Sequence, residues 1–549
     1  MNGEIQTNMA APPIVEGLTE YEQDAFKRLF KVWRQKLTRN QLRMRYYRKK
    51  NTLKDLGISI PPQLKTLETV LGWPAKAVDM LATRSIFDGF VYNQDIDNGI
   101  EDILRDNKFR LMYKQASISE LVHSCAFITV SKGGEGEPRV LISFYSAENG
   151  AVIWDSRLKR IECGFTVVEV DEDNGQPTWI NLYTDDAVIE CRKENGIWRS
   201  KRMKHSQGRP LMEAMVYCPD LDRPLGKSRI SRAVMSLTDS AIRTALRSEV
   251  SAEFFTSPQK YMLGVDDSIF ADKSKWETYI GNILAITRDE DGNIPTVGQF
   301  SQGSMQPHTD YMRSLAASFA GETNLPISSL GIIHDNPASA EAMRVAETYL
   351  IMEAESLNET NGDALRNIGL LVHAIAQNTT IDRLSDAEKS IEPRFRNPSM
   401  PSVVSQSDAI IKQVSALPWL AETEVALEEL GYNKEQRTRL LSDKRKIQAR
   451  AALEQARQAA AEQVANDQEG TKRTMYMMQS IISNYRRGTI NRQNAILLFA
   501  QIGIEEEEAN QILADSDDME DVTGEIAGQA SLPTENKASD GGGVNGASV

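Results

Sequence analysis

Cysteine is rare in this sequence, and long apolar runs are missing. The chain of 549 residues has four cysteines, which lie far apart and form no CxxC pair. They are Cys125, Cys163, Cys191 and Cys218. Structural zinc needs closely spaced ligands, and disulfide frameworks are typical of short, cysteine-rich chains, so we expect neither. No stretch approaches the roughly 18 apolar residues of a membrane-spanning helix, and the amino terminus lacks the basic and apolar regions of a secretory signal. We therefore expect a protein made in a reducing cytoplasm, with no membrane partner.

An excess of positive charge is also lacking. The chain carries 63 Lys and Arg against 77 Asp and Glu, a formal net charge of −14, which excludes a polycation. Hydrophobic residues make up 41% of the chain, and the 34 glycines bring the apolar share close to that of ordinary globular proteins. This composition excludes a disordered or fibrous chain. The length favours three or four folded units of about 150 residues each.

Catalytic and nucleotide-binding motifs are absent as well. The sequence contains no GxxxxGKS/T, HExxH, GxSxG or GxGxxG. The glycine cluster GGEGEP at 133–138 lies between two predicted strands and predicts a hairpin turn. Of the five scattered histidines, His373 is expected to be a satisfied core or interface histidine. His334 with Asp335 could be a catalytic base, but no motif marks a serine or cysteine as its nucleophile. We therefore predict that the chain is not an enzyme and has no catalytic residue, cofactor or metal.

The first predicted helix runs from Thr19 to Arg48, where Thr19 and Glu22 form a candidate capping box. Basic residues crowd this region: Lys27, Arg28, Lys31, Arg34, Lys36, Arg39, Arg43, Arg45, Arg48, Lys49 and Lys50. Two interpretations remain open. The basic residues contact nucleic acid or an acidic neighbour, or they form a solvated helix face, which is the commoner role of charge runs.

Residues 64–114 are predicted to be mainly helical, and the pattern changes between His123 and Lys204. There, short β-branched or aromatic runs alternate with Gly-, Pro- and Asn-containing turns. The pattern predicts an antiparallel sheet region that is roughly a domain in itself.

The segment 223–258 predicts a helix with two unlike faces. At 100° per residue its apolar residues form one stripe, and four arginines lie within about 60° of one another on the opposite side. These arginines are Arg229, Arg232, Arg243 and Arg247. Two short runs, YMLGV at 261–265 and NILAIT at 282–287, then predict strands of a small α/β insertion in 259–305. A second helix is predicted from Pro307, followed by an irregular stretch broken by Pro326, Gly331 and Pro337.

The rest of the chain is predicted to be largely helical. A long helix runs from about Ser339 to Gln377 and is followed by a proline-containing linker at 392–401. Helices continue to about Asn466, and a helical pair is predicted at 471–487 and 491–513. The end of the chain is acidic and then rich in Gly and Ser, which predicts disorder.

Three segments carry a resemblance to a known family. PLGKSRI at 224–230 opens a helix before a small α/β insertion and a returning helix, and NLPISSLGIIHDNPASAEAMRVAE at 324–347 leads into the long helix. RMRYYRKKNTLKDLG at 43–57 is an Arg/Tyr-rich opening. Over residues 18–441 this order resembles the portal proteins of tailed double-stranded DNA bacteriophages. These proteins commonly show a proline, a leucine–glycine step and a Ser/Ala-rich start to the long helix, at the places of Pro326, Leu330–Gly331 and 339–342.

The resemblance implies a mainly helical α+β subunit with wing, stem, clip and crown domains, an antiparallel β region and long helices. The implied order begins with a flexible amino-terminal arm (1–18) and a wing (19–225). A first stem helix (226–256), a clip (257–306), a second stem helix (307–321) and a tunnel loop (322–338) follow. The chain then continues as a long wing helix with a linker (339–402), a helical crown (403–514) and a disordered tail (515–549). The subunits would form a ring, usually of twelve copies, at one vertex of the capsid in the virion.

The resemblance also implies partners and DNA-facing residues. Double-stranded DNA would pass non-specifically through the ring during packaging, retention and ejection. The terminase large subunit, a head completion or adaptor protein, and the major capsid and scaffolding proteins would be its protein partners. Ser328, Ser329, Asn336 and Ser339 would face the DNA from the tunnel loop. The row of Arg229, Arg232, Arg243 and Arg247 would face either the channel or the adjacent subunit.

Three other classes of protein remain as alternatives. The first is another capsid or head-morphogenesis protein, which would form shells or scaffolds instead of closed rings of one size. The second is a nuclease or hydrolase with an unrecognised site, against which the missing metal-ligand spacing counts. The third is a sequence-specific DNA binder, which the net charge and the lack of a recognition motif disfavour.

Overall fold

The chain folds into two compact units, residues 1–402 and 403–549. The structure, a computed structural model, describes residues 12–51, 69–93, 99–256, 260–263, 296–299, 303–332, 340–399, 403–432, 434–466 and 470–517. It is a mainly helical α+β protein with antiparallel sheets and long helices, so the predicted fold class is confirmed.

The helices of the first unit alternate with its strands. They are α1 (Glu20–Tyr47), α2 (Trp73–Ala82), α3 (Ile100–Asp106), α4 (Phe109–His123), α5 (Arg232–Thr256), α6 (Gln306–Thr323), α7 (Ala340–Ala376) and α8 (Asp386–Lys389). The side chain of Thr19 caps α1, and the predicted capping box with Glu22 is present. The two helices predicted from Pro307 and from Ser339 are confirmed as α6 and α7.

The β region contains two larger sheets. Its strands are β1 (Val15–Glu16), β3 (Cys125–Lys132), β4 (Val140–Ser146), β5 (Gly150–Asp155), β6 (Arg160–Val170), β7 (Pro177–Tyr183), β8 (Ala187–Glu194), β9 (Ile197–Lys204) and β10 (Met212–Val216). One sheet has the order β1-β9-β8-β7-β6-β5 and the other β10-β3-β4. All pairings are antiparallel except that of β1 with β9, which is parallel. The predicted antiparallel sheet is confirmed, and 133–138 is the turn between β3 and β4.

The β region is not a domain in itself, contrary to the prediction. Apolar residues of α1 recur every three or four positions, so they line one helix face and are buried against the six-stranded sheet. Trp33 is 1% exposed and donates from Nε1 to the carbonyl oxygen of Glu148 at 2.7 Å. Its ring meets that of Phe165 edge-on, with centroids 5.7 Å apart. The helix and the sheet therefore share one core.

The predicted flexible arm, residues 1–18, is ordered from residue 12 onward. Val15 is buried, and β1 pairs with Trp198 and Arg199 of β9. Gln23 on α1 holds the same segment, because its side-chain amide donates to the carbonyl oxygen of Pro13 at 3.1 Å. Residues 1–11 lie outside the described residues.

Two short strands were missed at the sequence level. β2 (Phe87–Val91) lies in a region predicted to be mainly helical, and β13 (Glu392–Phe395) lies in the predicted linker. They pair antiparallel although about 300 residues separate them. Asp88 of β2 also accepts from Arg394 at 2.8 Å. Each strand acquires its partner only in the folded chain, so local periodicity does not indicate it.

The first predicted stem helix begins six residues later than expected, at Arg232 instead of Gly226. Gly226 has φ 72°, and a Cβ there would come 2.2 Å from the carbonyl oxygen of Tyr217. The Oγ of Ser228 donates to the carbonyl oxygen of Val122 at 2.5 Å. These contacts hold the segment before Arg232 against α4 and the residue after β10 in a non-helical conformation.

The predicted insertion at 257–306 is described only in part. β11 (Lys260–Leu263) overlaps the predicted strand YMLGV at 261–265 and pairs antiparallel with β12 (Thr296–Gln299). The predicted strand NILAIT at 282–287 lies outside the described residues.

The second unit is helical. Its helices are α9 (Val403–Ala416), α10 (Glu424–Glu429), α11 (Lys434–Asn466), α12 (Gly470–Arg486), α13 (Arg492–Gln501) and α14 (Glu506–Asp517). The predicted helix 491–513 is two helices, because the chain turns at Gly503, which has φ 88°. α12, α13 and α14 enclose a small core of Ile481, Ala495, Phe499, Ala509 and Leu513. α14 also extends into the predicted disordered tail, 515–549, as far as Asp517, and residues 518–549 lie outside the described residues.

Within the described ranges, the longest helices are α7, with 37 residues, and α11, with 33. At 1.5 Å per residue they span about 55 and 50 Å. Over the described residues, no helix combines the length and the apolar character that crossing a membrane requires.

Candidate functional site

Helices α5 and α6 pack side by side in opposite directions. Near the start of α5, the Oγ of Ser231 donates to Glu322 at 3.0 Å. Near its end, the Oγ of Ser251 lies 3.1 Å from Nε2 of His308. Both helices bury apolar residues in one core, which are Val234, Ala241, Leu315, Ala316 and Phe319. The predicted pair of helices is therefore one packed element, and β11 and β12 lie between its two helices along the chain.

Arg229, predicted as part of an exposed arginine row, is buried before α5 begins. Its side chain is 3% exposed. The guanidinium donates to the carbonyl oxygens of Ala77 at 2.8 Å and Thr323 at 2.6 Å. It also donates to the hydroxyl of Tyr217 at 2.9 Å and pairs with Glu353. A guanidinium has five N–H donors in a planar fork, and here they join α2, the end of α6, α7 and the segment after β10.

The remaining three arginines of the predicted row lie on α5. Arg232 and Arg247 are exposed, and Arg243 is half-buried and donates to the Oγ of Ser240 at 3.1 Å. At 100° per residue the three fall within about 60° of one another, so the structure places them on one helix face. Their contact with a channel or with an adjacent subunit stays a prediction.

The predicted tunnel loop begins inside α6 and contains a short 3₁₀ turn, Ile327–Leu330. Ser328 is exposed, whereas the hydroxyl of Ser329 donates to the carbonyl oxygen of Pro326 at 2.7 Å. The start of the loop is fixed by two contacts. Leu325 is buried, and Arg229 donates to the carbonyl oxygen of Thr323. The other two predicted DNA-facing residues, Asn336 and Ser339, lie outside the described residues.

Most of the basic residues of α1 are exposed, and several of them line a groove. We call it the basic groove; its volume is about 950 Å³, and it is lined by α1, the segment 222–235 and residues at the ends of β3 and β5. Its positively charged lining residues are Lys36, Arg39, Arg43, Arg223, Lys227 and Arg232. The guanidinium of Arg43 donates to the carbonyl oxygen of His123 at 2.9 Å, and burial lowers its pKa to about 10. The groove follows from tertiary packing, so the sequence pattern indicated only one of its walls.

The buried cysteines are poor candidates for a nucleophile. Burial raises the pKa of Cys125, Cys163 and Cys191 to about 12, and a protonated thiol is unreactive at neutral pH. Over the described residues, no group of three or more His, Cys, Asp and Glu side chains is arranged to hold a metal ion.

Two buried histidines of the first unit have structural partners. Nε2 of His373 lies 2.7 Å from the hydroxyl of Tyr92, which confirms the expected core histidine. His123 is buried between Ser119 and Glu148, with its ring nitrogens 3.1 and 3.3 Å from their side-chain oxygens. His334 lies outside the described residues.

A buried acid on α4 was missed at the sequence level. Glu120 is fully buried and accepts from the side-chain amide of Asn361 on α7 at 2.9 Å. Burial raises the pKa of Glu120 to about 8. Among the described residues its second carboxyl oxygen has no hydrogen-bond partner, and neither does the Oγ of Ser117, one turn earlier. A charged residue within the apolar run ISELV is the signal that could have indicated it.

Comparisons with known proteins agree on one family. The model of the family described as "Phage portal protein, SPP1 Gp6-like" matches residues 27–468. The portal protein of Mycobacterium phage L5 is 26% identical over 411 residues, which cover 71% of this chain and 82% of that protein. The portal protein of Mycobacterium phage D29 is 26% identical over 405 residues, with coverages of 71% and 81%.

Solved structures give a weaker likeness. A chain in the neck of an empty gene transfer agent particle is 14% identical, with a TM-score of 0.39, and the match covers 69% of this chain and 89% of that one. The match to the family model covers most of the sequence, and it includes α5, α6, α7 and nearly all of both sheets. This chain belongs to the SPP1 Gp6-like family of phage portal proteins, which are structural components of the phage particle.

Proposed function

We propose that this chain forms a closed ring of twelve identical copies through which double-stranded DNA passes during genome packaging, retention and ejection. The observation that carries the proposal is the antiparallel α5–α6 pair, followed by residues 324–339 and the 37-residue helix α7. These elements occur in the order that the family resemblance implies. A ring of identical copies needs two different, complementary faces on each copy, and long helices with unlike faces meet that requirement.

We assign the parts of the subunit as follows. The stem consists of α5 and α6, the clip of residues 257–306 with β11 and β12, and the tunnel loop of residues 322–338. The wing consists of α1 to α4, both larger sheets and α7, and the crown consists of the second unit from residue 403. The compact division of the chain after Ser402 supports the last assignment.

DNA would pass this protein with little charge attraction. Non-specific DNA binders that make many phosphate contacts reach dissociation constants of roughly 10⁻⁴ to 10⁻⁶ M, and such attraction summed around a ring would retard sliding. The net charge of −14 and the exposed hydroxyl of Ser328 fit a conduit that contacts DNA by shape. The exposed Arg232 and Arg247 would supply the limited basic contacts, or pair with the adjacent subunit.

The protein partners follow from this position in the virion. The clip would dock the terminase large subunit during packaging and a head completion or adaptor protein afterwards. The wing would contact the major capsid and scaffolding proteins at one capsid vertex, after synthesis in the host cytoplasm.

Electron microscopy of the purified protein tests the ring. We expect closed rings of one size with a central hole. Lattices, or a subunit that remains monomeric at every concentration, would contradict the proposal.

A deletion of residues 327–337 tests the tunnel loop. We expect the deletion protein to assemble rings but not to support DNA packaging, because the segment at the DNA is lost while the packed helices remain. Deletion of residues 134–137, in the β3–β4 turn, is the control and should leave packaging intact. Normal packaging by the 327–337 deletion would reject the loop's role.

A further inference from the structure

The basic groove combines partly exposed apolar side chains with positive charges. Of its apolar lining residues, Leu42 is 42% exposed, and Val32, Leu225 and Met235 are half-buried. Six basic residues line it against one acidic residue among those described, Asp222. Of the six, Lys227 already pairs with Asp220 at 2.8 Å. The groove therefore suits a ligand that is apolar in one part and acidic in another.

One exposed face of α7 has that character. Val345, Tyr349 and Met352 are 62%, 68% and 58% exposed, although they are large apolar side chains. Glu355, Glu359 and Asp363 continue the same face toward the carboxyl end of the helix and are exposed as well. At 100° per residue the six lie within an arc of about 120°, over a length of about 27 Å. We call this surface the α7 face. A contiguous exposed apolar stripe with a polar border is typical of an interaction surface.

The α7 face cannot enter the groove of its own copy. α7 is fixed in the first unit through its opposite side, where Leu350, Ala354 and Leu357 are buried in the core that includes α2, α5 and α6. Glu353 adds the buried pair with Arg229. The residues described as lining the basic groove come from α1, the strands and the segment 222–235, and none comes from α7. A contact between the two surfaces therefore joins two copies.

We propose that the α7 face of one subunit docks into the basic groove of the next subunit. The apolar side chains of the α7 face would cover the partly exposed apolar side chains of the groove, and its carboxylates would meet the guanidinium and ammonium groups that line it. The contact joins two different patches, so each copy offers one of each and the contact can repeat around a ring. This inference rests on the proposed ring and adds which surfaces close it.

Charge reversal on each side tests the contact. One variant carries Glu359→Arg and Asp363→Arg on the α7 face, and the other carries Lys36→Glu and Arg39→Glu in the basic groove. We expect each variant alone to need at least a tenfold higher subunit concentration for half-assembly, measured by native mass spectrometry and light scattering. The control, Glu172→Arg with Asp173→Arg in the exposed β6–β7 turn, changes charge equally and should assemble as the wild type does.

Mixing the two variants gives the decisive result. In an equimolar mixture, the unchanged groove of the first variant meets the unchanged α7 face of the second. The reversed groove of the second meets the reversed α7 face of the first. We therefore expect rings in which the two variants alternate, and this recovery shows that neither variant is misfolded.

The outcomes separate this inference from the proposed ring. If the wild type forms rings and the single variants also assemble normally, the docking contact alone is overturned. The same holds if the wild type forms rings but the mixture of variants stays unassembled. Variants that keep the ring but lose retention of double-stranded DNA would assign the groove to the DNA backbone and overturn it as well. A wild-type protein that stays monomeric would overturn the ring and the contact together.

Discussion

Replacing Arg229 with methionine removes a buried guanidinium and leaves its partners in place. Glu353 would lose its counter-charge, the carbonyl oxygen of Thr323 would lose its side-chain donor, and that of Ala77, inside α2, would lose one of its donors. Removing one partner of a buried ion pair costs about 3–5 kcal/mol, and an unsatisfied buried carbonyl costs about 1–3 kcal/mol. The side chain of Glu353 is 18% exposed, so partial hydration offsets part of this loss. We expect a decrease of about 4 kcal/mol in the free energy of unfolding of the first unit.

Urea unfolding followed by circular dichroism, with amide hydrogen exchange at residues 320–325, measures this effect. The end of α6 should exchange faster in Arg229→Met, because the bond to Thr323 is gone. The matched control is the double variant Arg229→Met with Glu353→Met, which leaves no uncompensated charge and should lose less stability than the single variant. A loss below about 1 kcal/mol in the single variant, or an equal loss in both, would refute the reasoning.

Three further substitutions test single features of the first unit. Because the pKa of Glu120 is about 8 in the folded state and about 4.5 in the unfolded state, the folded state holds a proton between these values that the unfolded state has lost. The free energy of unfolding should therefore fall as the pH rises from about 4.5 to about 8, by up to about 1.4 kcal/mol per pH unit. Thermal unfolding of Glu120→Gln between pH 5 and 9 should therefore show a flatter dependence, and an unchanged slope would contradict the assignment. Gly226→Ala should lower the melting temperature, because an alanine at φ 72° is strained by about 1–3 kcal/mol and its Cβ would come too close to the carbonyl oxygen of Tyr217. The control, Gly136→Ala, has φ 80° but open space around the new Cβ, so it should lower the melting temperature less. Trp33→Ala should destabilise the first unit by about 3–5 kcal/mol in the same measurement, because the side chain is fully buried. A change below about 1 kcal/mol would count against a core shared by α1 and the six-stranded sheet.

Local patterns were sufficient to predict several elements. Apolar spacing of three and four predicted α1 and α7, and Thr19 with Glu22 predicted the cap of α1, because a capping box and an amphipathic face depend on neighbours within one turn. The turn at 133–138 was equally local. These features need no information from distant parts of the chain.

Features that depend on distant partners were not predictable in the same way. The helical wheel placed Arg229 beside Arg232 because it assumed that the helix includes residue 229. Its start is instead set by the backbone at Gly226 and by the contact of Ser228 with Val122. The burial of Glu120 depends on α7, more than 200 residues further along the chain. The basic groove likewise exists only where α1 meets the segment 222–235.

The pairing of β2 with β13 sets a time for the completion of each subunit. Asp88 and Arg394, which pair across these strands, are 306 residues apart. At about 5–20 residues per second on the ribosome, β2 waits on the order of 15–60 s before its partner has been synthesised. A growing or truncated chain that ends before residue 392 lacks this closure of the first unit. The pairing therefore gives chains that have reached residue 395 an ordered edge that shorter chains do not have.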